Sequence, residues 1–170
     1  MIVGEGAAVI RCPARDILEF VLDLERYRQA DTKIRHVYFA ERRGCEGVIR
    51  YSARLRGLPT PSAAFAWRLV PYARLEIRSL GEGWLEGLLL DHFEGLFLCE
   101  QTAAGTRIVH RETFAFRPPL ARLIEGFLGP WLARQVPEEV ARMKHILEVD
   151  SPPARSPGVE ALMRGAQWNT

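Results

Sequence analysis

The sequence predicts an α+β domain in which an antiparallel sheet curves around one long C-terminal helix. Three observations carry that prediction. Several consecutive segments alternate apolar and polar residues with period two, as half-buried strands do. An apolar stripe at three-four spacing runs from Leu120 to Leu147, the pattern of a helix buried along one side. A single strand and a short helical segment precede both. The terminal helix is the only element long enough to cover the sheet, so the sheet must wrap it.

The elements follow in chain order. VGEGAAVIRC at 3–12 reads as a strand, and Pro13 stands where a helix can begin, since proline at the first helical position gives up no needed hydrogen bond. Ile17, Leu18, Val21, Leu22, Leu24 and Tyr27 then recur at helical spacing until ADTK at 30–33 interrupts them, making one short helix or two. Residues 33–42 alternate less cleanly. GVIRYSARLR at 47–56 places Ile49, Tyr51, Ala53 and Leu55 on one face and Arg50, Ser52, Arg54 and Arg56 on the other. A turn is expected at LPTP, 58–61, after which Phe65, Trp67 and Leu69 repeat the pattern; Pro71 breaks it, and Leu75 and Ile77 resume it.

GEGWLEGLLL at 81–90 has no decisive period and is read as a loop. DHFEGLFLCEQT at 91–102 and TRIVHRETFAFR at 106–117 flank Ala103-Ala104-Gly105 as a hairpin, giving seven strands in all. In the terminal helix Gly129-Pro130 and Pro137 predict kinks or breaks, because a proline inside a helix removes a hydrogen bond and crowds the preceding turn. Residues 149–170 are rich in proline, serine and glycine and read as a flexible tail.

Composition bounds the partners. The chain has 170 residues, 48% hydrophobic and 26% charged, so one globular domain with a real core is expected. Twenty-three basic against 21 acidic residues leave a net charge of +2, which lacks the concentrated positive field of a dedicated nucleic-acid binder, so no nucleic-acid partner is expected. Nearly all the positive charge is arginine; Lys33 and Lys144 are the lysines. No stretch approaches the roughly 18 apolar residues of a membrane span, and no secretory leader is evident, so a cytoplasmic protein is the expectation. Cys12, Cys45 and Cys99 form no CxxC arrangement and read as free thiols.

CPARDILEFVLDLERYRQAD at 12–31, AAGTRIVHRETFAF at 103–116 and the helix ending ARMKHILE at 141–148, in this order of elements, resemble the START-like superfamily. This superfamily, also called SRPBCC, has the helix-grip fold and includes birch-pollen-allergen-like and bacterial polyketide cyclase/dehydrase-like proteins. The resemblance spans residues 3–148. It implies a deep cavity between sheet and helix for an apolar small molecule, a lipid, sterol or polyketide, with catalysis in only some members. No catalytic signature carries over. Many relatives have a tryptophan near Ala30-Asp31, where this chain has none, and the Cys-His pairs of the Rieske branch are missing. The expected function is binding or transport of a hydrophobic small molecule, the alternative a cyclase or dehydratase-type enzyme. No cofactor is implied, and a homodimer is left open.

Candidate site residues follow from strand parity. His110 and Glu112 share a face with Ile108, Phe114 and Phe116, while Arg107, Arg111 and Arg117 share the other, so the imidazole and carboxylate point inward. Such a pair can act as general acid and base or fix a ligand's polar end, but a satisfied buried pair is the commoner arrangement. Tyr51, Trp67, Phe97, Phe114 and Trp131 fall on inward faces, where core packing and ligand contact are both open. A second pair, His92 and Glu94, invites a metal hypothesis, but with the hairpin closing at 103–105 Glu94 falls opposite Phe114 and the pairs are offset, so no metal site is expected. Arg50, Arg54, Arg56, Arg68, Arg74 and Arg78 recur on outward positions and read as solvated sheet surface.

Overall fold

The structure, a computed structural model, describes residues 1–82 and 89–150, the last without its side chain. Most of the loop expected at 81–90, and residues 151–170 of the tail expected from 149, lie outside the described residues; residues 149 and 150 are the last of the terminal helix. Seven antiparallel strands form one curved sheet: β1 (Ile2–Ile10), β2 (Ile34–Arg43), β3 (Glu46–Leu55), β4 (Leu58–Val70), β5 (Arg74–Ser79), β6 (Leu90–Thr102) and β7 (Gly105–Phe116). Two short helices, α1 (Ala14–Leu22) and α2 (Leu24–Tyr27), follow β1, and the long helix α3 (Ala121–Asp150) closes the described chain. This is the helix-grip α+β arrangement.

Strand order is β1-β7-β6-β5-β4-β3-β2. The meander therefore runs from β2 at one edge to β7, and the first strand adds to the far side of the last. Alternation sets which residues face the helix: Ile49, Phe65, Trp67, Leu75, Phe93, Phe97 and Ile108 are all buried on the concave side. The helix contributes Leu128, Leu132, Val136, Val140, Met143 and Leu147, and α1 contributes Ile17, Leu18, Phe20 and Val21.

Four local expectations need correction. Pro13 is the residue before α1 rather than its first, with an extended backbone (φ −62, ψ 147). The reversal expected at 58–61 falls at Arg56-Gly57, both with positive φ (49° and 87°), and Leu55 pairs with Leu58 across it. A two-residue hairpin turn needs this left-handed pair, so the glycine decides the turn and the prolines of LPTP begin β4, beside a register shift near Arg54. Pro130 and Pro137 interrupt nothing: α3 is one unbroken helix. Finally, the apolar stripe is a packed face only from Leu128 onward, for Leu120, Leu123 and Phe127 are 48%, 73% and 41% exposed. The first turns of α3 overhang a hollow instead of a core.

The helix lies on β1 because β1 carries two glycines there. A Cβ at Gly4 would stand 2.6 Å from Val136 Cγ2 and 2.8 Å from the Leu132 carbonyl oxygen, and one at Gly6 would stand 2.8 Å from Pro137 Cα. Gly4 pairs with Glu112 and Gly6 with His110 across the β1–β7 ladder. The close approach of helix to strand thus occurs beside the two polar residues of β7. Gly6→Ala is expected to lower the unfolding free energy by about 1–3 kcal/mol, since backbone cannot yield cheaply. Gly126→Ala, whose new methyl would meet nothing within 4 Å, should raise it by roughly 0.5–1 kcal/mol by favouring the helix. Paired thermal or urea unfolding of the two variants checks both signs.

Candidate functional site

Between the sheet and the first turns of α3 lies a cavity of about 560 Å³. Its walls are apolar: Phe65, Phe93 and Phe114 from the sheet, and Leu123, Ile124, Phe127 and Leu128 from the helix. Leu58 and Leu123 are 59% and 73% exposed and mark the outer end, where the Arg56 guanidinium lies 4.1 Å from the Phe127 ring centroid. At the inner end the lining changes character, to Asp31, Lys33 and Glu112, each 5% exposed.

These three belong to a buried polar cluster completed by Tyr27, His110 and Glu139. Lys33 Nζ lies 3.0 Å from Asp31 Oδ1, 3.3 Å from Glu112 Oε1 and in direct hydrogen-bonding contact with Glu139 Oε2. Glu139 also accepts the Tyr27 hydroxyl on Oε1. His110 Nδ1 lies 3.1 Å from the Leu96 carbonyl oxygen, which can only accept, so this nitrogen carries a proton. Nε2 is 3.1 Å from Glu139 Oε1 and 3.6 Å from Glu112 Oε1, ionic contacts off the axis of a good hydrogen bond. Phe97 stacks on the imidazole, 3.9 Å between centroids and 4° between planes.

Elementary electrostatics sets the protonation of the cluster. Burial disfavours the charged imidazole, but Glu139 and Glu112 outweigh it and hold the His110 pKa up at about 10. Burial and the neighbouring Glu139 push Asp31 up to about 7, against the pull of Lys33. Glu139 itself, although burial opposes its charge, is held well below the usual carboxylate range by Lys33 and His110. Burial, and then Glu139, raise Tyr27, so its hydroxyl keeps its proton. Burial likewise lifts the Cys12 and Cys99 thiols to about 11, which leaves neither a nucleophile.

The sequence-derived site residues separate into three groups. Glu112, Tyr51 and Phe114 line the cavity, with Tyr51 stacked on Phe65 at 4.7 Å. His110 and Phe97 sit behind it, against a hollow of only about 20 Å³. Trp67 and Trp131 are not among the cavity-lining residues: Trp67 packs over Gly47, where a Cβ would stand 2.6 Å from the indole, with Arg42 stacked above it, and Trp131 is half-buried on α3.

His92 is exposed and Glu94 pairs with Arg78 at 3.2 Å, outside the sheet. The register corrects the expected offset: the hairpin closes on two residues, with Thr102 opposite Gly105, so Phe93 rather than Glu94 faces Phe114, and Glu94 faces Thr113. His110, Glu112 and Glu139 could offer a metal three ligand atoms within 4.8 Å of one another. The Lys33 ammonium already contacts both carboxylates, where such a cation would bind. Of the outward arginines, Arg50 pairs with Glu82, Arg74 with Glu76 and Arg78 with Glu76 and Glu94.

Asp31, Lys33, Glu139 and Tyr27 went unrecognised in the sequence, although two signals were present. Glu139 occupies the apolar stripe between Val136 and Met143, where a carboxylate needs a buried partner. Lys33 is one of two lysines in an arginine-rich chain.

The architecture is that of known structures. TTHA0849 from Thermus thermophilus superposes with a TM-score of 0.69 at 17% identity over 88% of this chain and 99% of its own. The Zhui aromatase/cyclase from Streptomyces sp. R1128 gives 0.66 at 15% identity over 88% and 98%. The di-domain aromatase/cyclase StfQ of the steffimycin biosynthetic pathway gives 0.67 at 12% identity over 87% of this chain and 51% of its own length. No protein-family model and no curated protein matches the sequence itself. The chain therefore shares the helix-grip fold of these structures. No described helix is long and apolar enough to cross a membrane.

The cluster makes stability depend on pH in two windows. The His110 pKa is raised from 6.5 to about 10, so the stabilisation from its charge is fully present below 6.5 and is lost as pH rises through about 10. The Asp31 pKa is raised from 3.8 to about 7, so its ionisation costs stability progressively between those values. Urea unfolding as a function of pH should show both declines, His110→Gln removing the alkaline one and Asp31→Asn the acidic one. Glu139→Gln, which breaks a buried charge cluster, should cost about 3–5 kcal/mol at neutral pH.

Proposed function

We propose that the protein binds, and by binding carries, a hydrophobic small molecule of lipid or polyketide-like character, held between the sheet and α3. The observation that carries this reading is the cavity itself. Its volume of about 560 Å³ lies within the roughly 300–1,000 Å³ usual for small-molecule sites, and apolar walls end in a few convergent polar groups. Tyr51, Phe93 and Phe114 supply flat apolar contact, and Asp31, Lys33 and Glu112 meet the ligand's inner end. The arginine-rich outer sheet has no part in this reading.

A cyclase or dehydratase-type enzyme is the second reading. It draws support from the fold shared with Zhui and StfQ and from Asp31, a cavity-lining carboxyl whose pKa of about 7 suits proton exchange near neutrality. In that reading Glu112 and Asp31 face the substrate, and His110, whose Nε2 lies against Glu139 behind the cavity, acts as a positioning residue through Glu112.

Native mass spectrometry of the purified protein, together with melting temperatures over a panel of lipids and aromatic polyketides, tests the binding reading. Bound apolar species or a ligand-dependent rise in melting temperature is expected. Ala63→Trp, which fills the cavity from β4, should abolish the shift. Trp67→Ala should cost about 3–5 kcal/mol of stability and leave the ligand profile unchanged. No shift across the panel would overturn the reading, while turnover of a panel member that Glu112→Gln abolishes would favour the enzyme.

A further inference from the structure

We propose that the cavity selects a ligand whose inner end is an uncharged hydrogen-bond donor, an alcohol or phenol, and discriminates against one that ends in a carboxylate. The proposal rests on the cavity-binding reading above and adds the polarity and orientation of the ligand.

It follows from counting which polar atoms at the inner end are already used. Lys33 has three N–H donors and three carboxylate neighbours, Asp31, Glu112 and Glu139. His110 directs one N–H to the Leu96 carbonyl and faces Glu139 and Glu112 with the other nitrogen. The Tyr27 hydroxyl donates to Glu139, and the Thr60 hydroxyl donates to the Ala53 carbonyl while accepting the Ala53 amide. Of the buried side-chain atoms left without a hydrogen-bond partner among the described residues, His110 Nε2 and Arg142 Nη2 belong to residues that do not line the cavity, so what remains there is an acceptor. Glu112 Oε2 is buried and has no hydrogen-bond partner among the described residues, on a side chain that lines the cavity.

A buried carboxylate oxygen without a donor is costly, and a ligand that brings one recovers that cost. Tyr51 and Ser62 also line the cavity, but a hydroxyl can donate or accept, so neither selects. Charge acts in the same direction. Three carboxyl groups already surround two cations, and a further carboxylate would enter beside Glu112 and Asp31 with no uncommitted cation to meet it. An uncharged hydroxyl meets neither obstacle. The aromatic side chains that follow, Phe93, Phe114 and Tyr51, suit a fused-ring or unsaturated body behind that hydroxyl.

The test compares three probes of one shape on the wild-type protein by isothermal titration at about pH 8, above the Asp31 pKa of about 7, so that this cavity-lining carboxyl offers no proton of its own: naphthalene, 2-naphthol and 2-naphthoate. Naphthol should bind about tenfold or more tighter than naphthoate, the effect of one hydrogen bond to a charged acceptor. Glu112→Gln, which replaces one acceptor oxygen by a donor amide, should erase or reverse that preference while naphthalene affinity changes little. Naphthoate binding as tightly as naphthol to the wild type overturns the inference and leaves the cavity reading standing. Failure of all three probes to bind overturns both. Should Glu112→Gln not fold, the wild-type comparison decides alone.

Discussion

The Glu139 carboxylate is the point at which the two layers of the molecule are joined. It comes from α3, and it meets Lys33 just before β2, His110 on β7 and Tyr27 on α2. Apolar contacts can slide by a fraction of a turn at little cost, but a buried charge with three fixed partners cannot. The helix is therefore held in rotation as well as in position. The rest of the structure depends on that setting: the face of α3 that packs, the face that overhangs the cavity, and the distance between helix and sheet at the inner end.

The two glycines of β1 are the steric half of the same constraint. Gly4 and Gly6 let α3 rest directly on strand backbone, and their ladder partners are Glu112 and His110. Beside this contact the helix rests on the sheet, and the polar cluster lies between the two layers. Toward its N-terminus α3 overhangs a hollow, which leaves the cavity open between sheet and helix. A closed, charge-bearing end and an open, apolar end thus arise from one helix laid across one sheet. The charges at the closed end are costly to bury, and their mutual contacts offset that cost only while the set stays complete.

Much of this was legible in residue patterning. Alternation placed Tyr51, Phe65, Phe114, His110 and Glu112 on the inner face, because strand geometry leaves no other choice once one face is buried. The long helix was legible from its stripe. What failed did so for identifiable reasons. The LPTP segment carries strong turn residues, yet the turn formed two residues earlier, where a glycine could adopt positive φ. ADTK at 30–33 reads as an interruption of helical periodicity, and periodicity has no means of marking Lys33 as the partner of Glu139, more than a hundred positions away, or Asp31 as the partner of Lys33. Trp67 lies on the inner face, as parity requires, and packs there over Gly47 of the neighbouring strand. Parity assigns a side; it does not say whether that side holds core or cavity.

The pairing of β1 with β7 also shapes how the chain must assemble. Strands β2 to β7 are joined in succession and can pair with neighbours as they form, but β1 has no partner until residues 105–116 exist, and no cover until α3 has been made. Its alternation and its two glycines make it a poor structure alone. A nascent chain therefore carries β1 unpaired until β7 has been made, and the closure joins segments about a hundred residues apart. Such closure sacrifices a large loop entropy, which places this protein among the slower-folding topologies.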